Sequence, residues 1–167
     1  MEAITNEQIL ARLKEQFPEA IRSHAESYGM LTVVCNREKY LDVLRFLRDD
    51  AVLQFNFLTD ACGAHYPNRE EQFEMIYHLH SWSNNVRIRV KVPIAGEHPH
   101  IATASKDFPT TNWMERETYD FYGIHFDGHP NLKRILNVDD MAIFPMRKEY
   151  PLEDNTRTDK DDKMFGR

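Results

Sequence analysis

The hydrophobic positions change period several times along the chain, and each change marks an element. Between Asn6 and Phe17 the residues Ile9, Leu10, Leu13 and Phe17 recur at helical spacing, with Thr5 or Asn6 available as a cap and Pro18 closing the run. Short strands are expected over Ala20–Ala25 and Met30–Cys35 around Tyr28-Gly29, the second carrying β-branched Val33 and Val34. Arg37–Arg48 returns to helical period through Tyr40, Leu41, Leu44 and Leu47, and Val52–Thr59 reads as another strand, which gives the order of a βαβ unit. The clearest signal is a pair of runs, Gln72–Trp82 and Asn85–Ile94. In the second, Val86, Ile88, Val90 and Val92 alternate with Arg87, Arg89 and Lys91, which puts one face in a core and the cations outside. In the first, Phe73, Met75, Tyr77 and Leu79 alternate with Glu74, Ile76, His78 and His80, and Ser83-Asn84-Asn85 supplies the turn of an antiparallel hairpin. Ala95–Thr111 reads as loop, a third helix starts near Asn112, and after Gly123 the pattern is short and irregular.

These elements predict an α+β fold of two layers: a mixed sheet containing the hairpin, helices on one face, and an irregular carboxyl-terminal extension. One domain is expected over 1–150. From Glu153 onward nine of fifteen residues are charged and only Met164 and Phe165 are apolar, so 151–167 is expected to be a tail that orders only against a partner, with Phe165 as its anchor. No repeat or low-complexity tract interrupts this reading.

Composition narrows the function. The chain has 167 residues, 41% hydrophobic, which suffices for one domain with a real core. Its net charge of -6 argues against a nucleic-acid binder, which needs surplus Lys and Arg against phosphate. Two cysteines, Cys35 and Cys62, cannot alone supply the thiolates of a structural zinc or iron–sulfur site and point to a reducing, cytosolic setting. Met1–Thr5 has no leader character and no stretch approaches a membrane span, so membrane contact is expected only through partners.

No Gly-rich phosphate loop, HExxH, nucleophile elbow or CxxC is present. His78 and His80 on one strand face, with the second His-x-His at His98 and His100, could in principle supply imidazoles to zinc, which keeps open a stand-alone His-rich metal-binding protein. The plainer reading is a polar sheet face beside Arg87 and Arg89. Cys62 and His65, three residues apart in an expected loop, match no nucleophile signature, and a free thiol is most often a small buried group.

The informative stretch runs from Asn112 to Gly123. Asn112 can cap a helix with Glu115 three residues on, and Gly123 suits the left-handed position after it. Met114, Glu117 and Phe121 fall on one face, so Glu117 is expected among apolar neighbours and in need of a cation. Lys133, Arg134, Arg147 and Lys148 are the candidates, and an arginine fits a carboxylate better because its planar fork bonds bidentately. The favoured reading is an ion-paired lock that pins the loop-rich carboxyl half to the helix; the alternative is acid–base work by Glu115, Glu117 or Asp120.

These residues also form a recognisable pattern. Glu115-Arg116-Glu117-x-Tyr119-Asp120-x-x-Gly123-Ile124, then His129-Pro130-x-Leu132-x-Arg134-Ile135-Leu136, then Pro145-x-Arg147-Lys148-Glu149-Tyr150, together resemble the signature of the 30 kDa (C-type) subunit of respiratory NADH:quinone oxidoreductase (complex I). Upstream, Tyr66-Pro67-x-Arg69, Phe73-x-x-x-Tyr77-x-Leu79 and Arg87-x-Arg89-Val90-Lys91-Val92-Pro93 resemble it too. The resemblance implies a proton-translocating complex in which this chain is a peripheral-arm subunit without catalytic residues, flavin, cluster or metal of its own. FMN, iron–sulfur clusters and quinone would belong to partners, namely the quinone-site subunit of the 49 kDa (D-type) class and cluster-bearing subunits, on the cytoplasmic side of a bacterial inner membrane. By the same resemblance Glu115, Arg116, Glu117, Tyr119, Asp120, Gly123, His129, Pro130, Arg134, Pro145, Arg147 and Lys148 are structural and interface residues. A homologous module of membrane-bound hydrogenases and formate-hydrogen lyases is the nearest alternative. The chain departs from the family pattern at Ile143-Phe144, where Gly-His is common.

Overall fold

The structure is a computed structural model and describes residues 4–150. The tail expected over 151–167 lies outside the described residues.

Helix α1 (Asn6–Gln16) starts on a reciprocal capping box. The Thr5 hydroxyl accepts the Gln8 N–H at 3.3 Å, and the Gln8 side chain accepts the Thr5 N–H at 3.0 Å, so two donors that helix geometry leaves orphaned are satisfied. Strands β1 (Ile21–Ser27) and β2 (Met30–Cys35) form a hairpin whose turn residues, Tyr28 and Gly29, both have positive φ, as a tight hairpin turn demands. Helix α2 (Tyr40–Asp49) buries Tyr40, Val43, Leu44 and Leu47.

Strand β3 runs Phe57–His65, later and longer than the Val52–Thr59 expected. The difference has a local cause: the Asp50 carboxylate accepts the N–H groups of Val52 and Leu53, each at 2.9 Å, and turns the chain before it can extend. Cys62 and His65 therefore lie in a strand rather than a loop, and three residues apart they face opposite sides of the sheet. Strands β4 (Phe73–Ser81) and β5 (Val86–Ile94) make the expected hairpin, in register from Phe73 opposite Ile94 to Ser81 opposite Val86.

The sheet order is β1-β2-β5-β4-β3, antiparallel except where β2 pairs with β5 in parallel. The hairpin β4–β5 thus lies between the two strands that α2 connects, so the βαβ unit is a split one. Leu31, Val33, Tyr77, Leu79, Ile88, Val90 and Val92 form the inner face, and each such fully buried side chain contributes roughly 1.5–3 kcal/mol. Tyr40 of α2 stacks on Tyr77 at 5.5 Å between ring centroids.

Helix α3 (Thr111–Tyr122) is flanked by two three-residue strands, β6 (His100–Ala102) and β7 (His125–Asp127), which pair in parallel outside the main sheet. β6 falls within the stretch expected as loop: three residues are too few to show alternation, and the partner strand lies beyond a whole helix. Gly63 in β3 lets α3 come close, since a Cβ there would stand 2.7 Å from the Thr118 methyl and 3.0 Å from the Tyr122 ring.

Candidate functional site

The residues singled out in the sequence gather around α3, but its buried face is not the one expected. Glu117 is exposed, while Thr111, Glu115, Thr118 and Asp120 are buried. The face inferred from Met114 and Phe121 is the wrong one because the helix turns a polar stripe inward, where hydrogen bonds take the place of apolar packing. Asn112 is not the cap either: the helix begins at Thr111 and the cap position is Thr110, whose side chain makes no capping bond. Glu115 reaches instead into the loop after β6, where its carboxylate accepts the Ala104 N–H at 2.7 Å and meets the Thr103 hydroxyl.

Asp120 is the carboxylate that pins the carboxyl half to the helix. One oxygen accepts three consecutive N–H groups, from Ile135 at 3.0 Å, Leu136 at 2.8 Å and Asn137 at 2.9 Å. The other accepts the Arg134 guanidinium at 2.7 Å and the Asn137 side-chain amide at 3.1 Å. Burial disfavours the charged form, but the Asn137 N–H, the Arg134 guanidinium and the other two amides outweigh it and hold the carboxyl well below its ordinary range. Arg134 also donates to the carbonyls of Asp120, Met141 and Ile143, so one guanidinium ties the helix to two turns of the following chain.

The remaining motif residues extend the same lock. Arg116 donates to the carbonyls of Lys133 and Arg134 and lies over the Trp113 ring. Gly123 ends α3 in the left-handed conformation at φ +71°, and a Cβ there would stand 2.5 Å from the Phe144 ring. The guanidiniums of Arg134 and Arg147 lie over that ring at 5.0 and 4.8 Å from its centroid, and it meets Tyr119 edge-on. Arg147 donates from Nε to the Tyr122 carbonyl at 2.7 Å and also covers the Phe73 ring of β4. Beside Pro145, the Met146 N–H reaches the Phe121 carbonyl. Lys148 contributes its backbone N–H, which donates to Nδ1 of His65, while its side chain is exposed. His129 is held by backbone on both ring nitrogens, and the adjoining Pro130 is exposed. The sequence offered no signal for His65 or Thr103 as partners, because both meet the motif residues only through the fold.

The candidate metal ligands are engaged separately. His78 accepts from Arg89 Nε at 2.8 Å with Asp60 on its other side, His80 packs on Trp82, and His100 pairs with Asp127. Among the described residues no group of three or more His, Cys, Asp or Glu is placed to hold a metal ion. Burial pushes the Cys62 thiol up to about 11, which leaves it protonated rather than nucleophilic at neutral pH. No described helix is long and apolar enough to cross a membrane.

The family described as the respiratory-chain NADH dehydrogenase 30 Kd subunit matches residues 33–156. A C-type subunit of NADH-quinone oxidoreductase from Roseiflexus sp. (strain RS-1) is 45% identical over 150 residues, which cover 90% of this chain and 86% of the relative. Among solved structures, a trypsin-resistant fragment of Nqo5 superposes with a TM-score of 0.62 at 30% identity, covering 75% of this chain and 98% of that one. A chain of an archaeal respiratory membrane complex, the membrane-bound sulfane sulfur reductase, gives a TM-score of 0.75 over 87% of this chain and 85% of that one; at 22% identity it shows a shared fold alone. The buried Asp120–Arg134 clamp lies within the matched residues, and the chain belongs to the complex I 30 kDa subunit family, the C-type subunits of NADH-quinone oxidoreductase, a peripheral part of a multisubunit membrane complex.

Proposed function

We propose that this chain is a cofactor-free scaffold of the peripheral arm, and that its clamped carboxyl-terminal segment docks the quinone-site subunit and neighbouring cluster-bearing subunits. FMN, iron–sulfur clusters and quinone then belong to those partners, and the complex lies on the cytoplasmic side of a bacterial inner membrane. The observation that carries the reading is how the Asp120 clamp displays the segment after it. While Arg134, Asp120 and Phe144 fix the backbone from inside, Leu136, Val138, Ile143 and Met146 turn outward at 66%, 63%, 39% and 44% exposure. A strip of apolar side chains held by a buried ion pair is what an assembly surface needs, because less ordering entropy remains to be lost on docking.

The motif residues Glu115, Arg116, Glu117, Tyr119, Asp120, Gly123, His129, Pro130, Arg134, Pro145, Arg147 and Lys148 are, in this reading, the frame of that strip and no part of a reaction centre. The test is affinity capture of the tagged chain from gently solubilised native membranes, with mass spectrometry of what accompanies it. Flavin- and cluster-bearing dehydrogenase subunits in equal amounts are expected with the natural sequence, and their loss with Leu136→Asp combined with Val138→Asp. Full co-purification of that variant would refute the docking strip. A nickel-bearing partner in place of the flavin subunit would move the chain to the hydrogenase branch.

A further inference from the structure

Helix α3 carries a second buried carboxylate, and this one has no cation. Glu115 is fully buried, and its only basic neighbour within ion-pair reach among the described residues is His129, with Nε2 at 3.9 Å. That imidazole is committed elsewhere. Its Nδ1 accepts the Asn131 N–H at 3.1 Å, so its proton sits on Nε2, which lies 3.1 Å from the Asn112 carbonyl, and burial further lowers its pKa. The ring is neutral and gives Glu115 no counter-charge.

The other elements around Glu115 supply none either. Tyr40 of α2 donates to the Ala102 carbonyl, Tyr77 of β4 has a buried hydroxyl without a partner, and burial raises the pKa of both phenols. In the loop between β6 and α3, Asp107 is paired with Arg45 and Arg48 of α2, and Thr111 donates to the Phe108 carbonyl. On α3 itself, Arg116 is turned to the carbonyls of Lys133 and Arg134.

What faces Glu115 is a pair of hydroxyls leading outward. Thr103 Oγ1 meets the carboxylate and lies 2.8 Å from Ser105 Oγ, while the Ser105 N–H donates to Thr103 Oγ1 at 3.1 Å. Ser105 is half-buried, at the edge of solvent. A threonine hydroxyl has a single proton to donate. When Glu115 is ionised the Thr103 O–H points at the carboxylate and Ser105 donates to Thr103. When Glu115 is protonated its own O–H points at Thr103, and Thr103 donates to Ser105.

We propose that Glu115, Thr103 and Ser105 form a proton-binding site: Glu115 takes one proton from solvent, or returns it, along the two hydroxyls, and its charge sets the hydrogen-bond polarity of the loop joining β6 to α3. Only a proton moves, entering from water at Ser105, and no bond between heavy atoms changes. Burial pushes the Glu115 carboxyl up to about 7, with the Thr103 hydroxyl and the Ala104 N–H opposing, so the exchange falls at neutral pH.

The experiment is an NMR titration of the full-length chain with carbon-13 label on the glutamate carboxyls. Glu115 is expected to titrate near 7 rather than at the ordinary 4.5, and the amides of Ala104 and Ser105 should shift with the same midpoint. Glu115→Gln keeps the shape and should abolish that shift. It should also abolish the fall in urea midpoint expected of the natural chain between about pH 5 and pH 7 as Glu115 ionises. Thr103→Val removes the donor to the ionised form and should move the Glu115 midpoint still higher, a readout that does not depend on the glutamine variant folding. A Glu115 midpoint in the ordinary carboxyl range would overturn the proposal. So would persistence of the Ala104 and Ser105 shifts in Glu115→Gln, which would make His129 the titrating group.

Discussion

Replacing Asp120 by alanine removes five hydrogen bonds at once and leaves the Arg134 side chain, 9% exposed, without its carboxylate. Bonds to a charged group contribute about 1.5–3 kcal/mol each when taken singly, but these share one carboxylate and do not add. Stranding one partner of a buried pair costs about 3–5 kcal/mol. Arg134 keeps three carbonyl acceptors, and Leu136 is open to water, so the lower end applies: a loss of about 3 kcal/mol is expected. In urea this is a drop of about 1–3 M in midpoint with the slope unchanged, followed by tryptophan fluorescence. Glu117→Ala, three residues earlier but exposed, is the control and should stay within about 0.5 kcal/mol of the natural chain. The effect also has a pH signature. Because the folded-state pKa of Asp120 lies below the unfolded 3.8, its contribution is present above about pH 4 and is lost as pH falls toward the folded value, so the alanine variant should lose part of the acid limb of the stability profile. A loss below about 1 kcal/mol, the range of exposed pairs, would show that the clamp does not hold the carboxyl half.

Gly123→Ala forces a side chain into a left-handed residue and against the Phe144 ring, and should cost about 2–4 kcal/mol, seen as a lower thermal midpoint. Tyr77→Phe deletes a buried hydroxyl that has no partner while keeping the stack on Tyr40, so it should be neutral or stabilise by up to about 1 kcal/mol; a clear loss in urea unfolding would reveal an unrecognised bond. Thr5→Ala opens the capping box and should cost about 0.5–2 kcal/mol, with faster amide exchange confined to the first turn of α1.

The hairpin β4–β5 was legible chiefly through β5, where buried Ile88, Val90 and Val92 alternate with partly exposed Arg89, Lys91 and Pro93, a contrast that strict alternation records. The start of α1 and the end of α3 were legible because Thr5 and Gly123 do their work locally. The identity of the locking carboxylate was not. On α3 the helical pattern of Met114 and Phe121 points to a face with Glu117, yet the chain buries Glu115 and Asp120, whose partners Thr103, Arg134 and the amides of 135–137 are distant in sequence. A buried polar stripe has no hydropathy signature, so only the kind of interaction, a carboxylate held by an arginine, could be read in advance. The strand β6 escaped for a related reason: its partner β7 is separated from it by α3. Phe144, a departure from the expected Gly-His, makes its contacts inside the chain, with the guanidiniums of Arg134 and Arg147 over its ring.

The parallel pairing of β2 with β5 sets an order on synthesis. Leu31 finds its partner only at Ile88, after α2, β3 and β4 have all been made. As the chain leaves the ribosome, α1, β1, β2 and α2 can collapse locally, but β2 keeps an unsatisfied edge until translation has passed Ile94. Closure then requires the finished β4–β5 hairpin to dock between strands already present, a non-local step of the kind that folds slowly and leaves strand edges open to wrong partners. The nascent amino-terminal half is therefore the stage at which a chaperone would matter most.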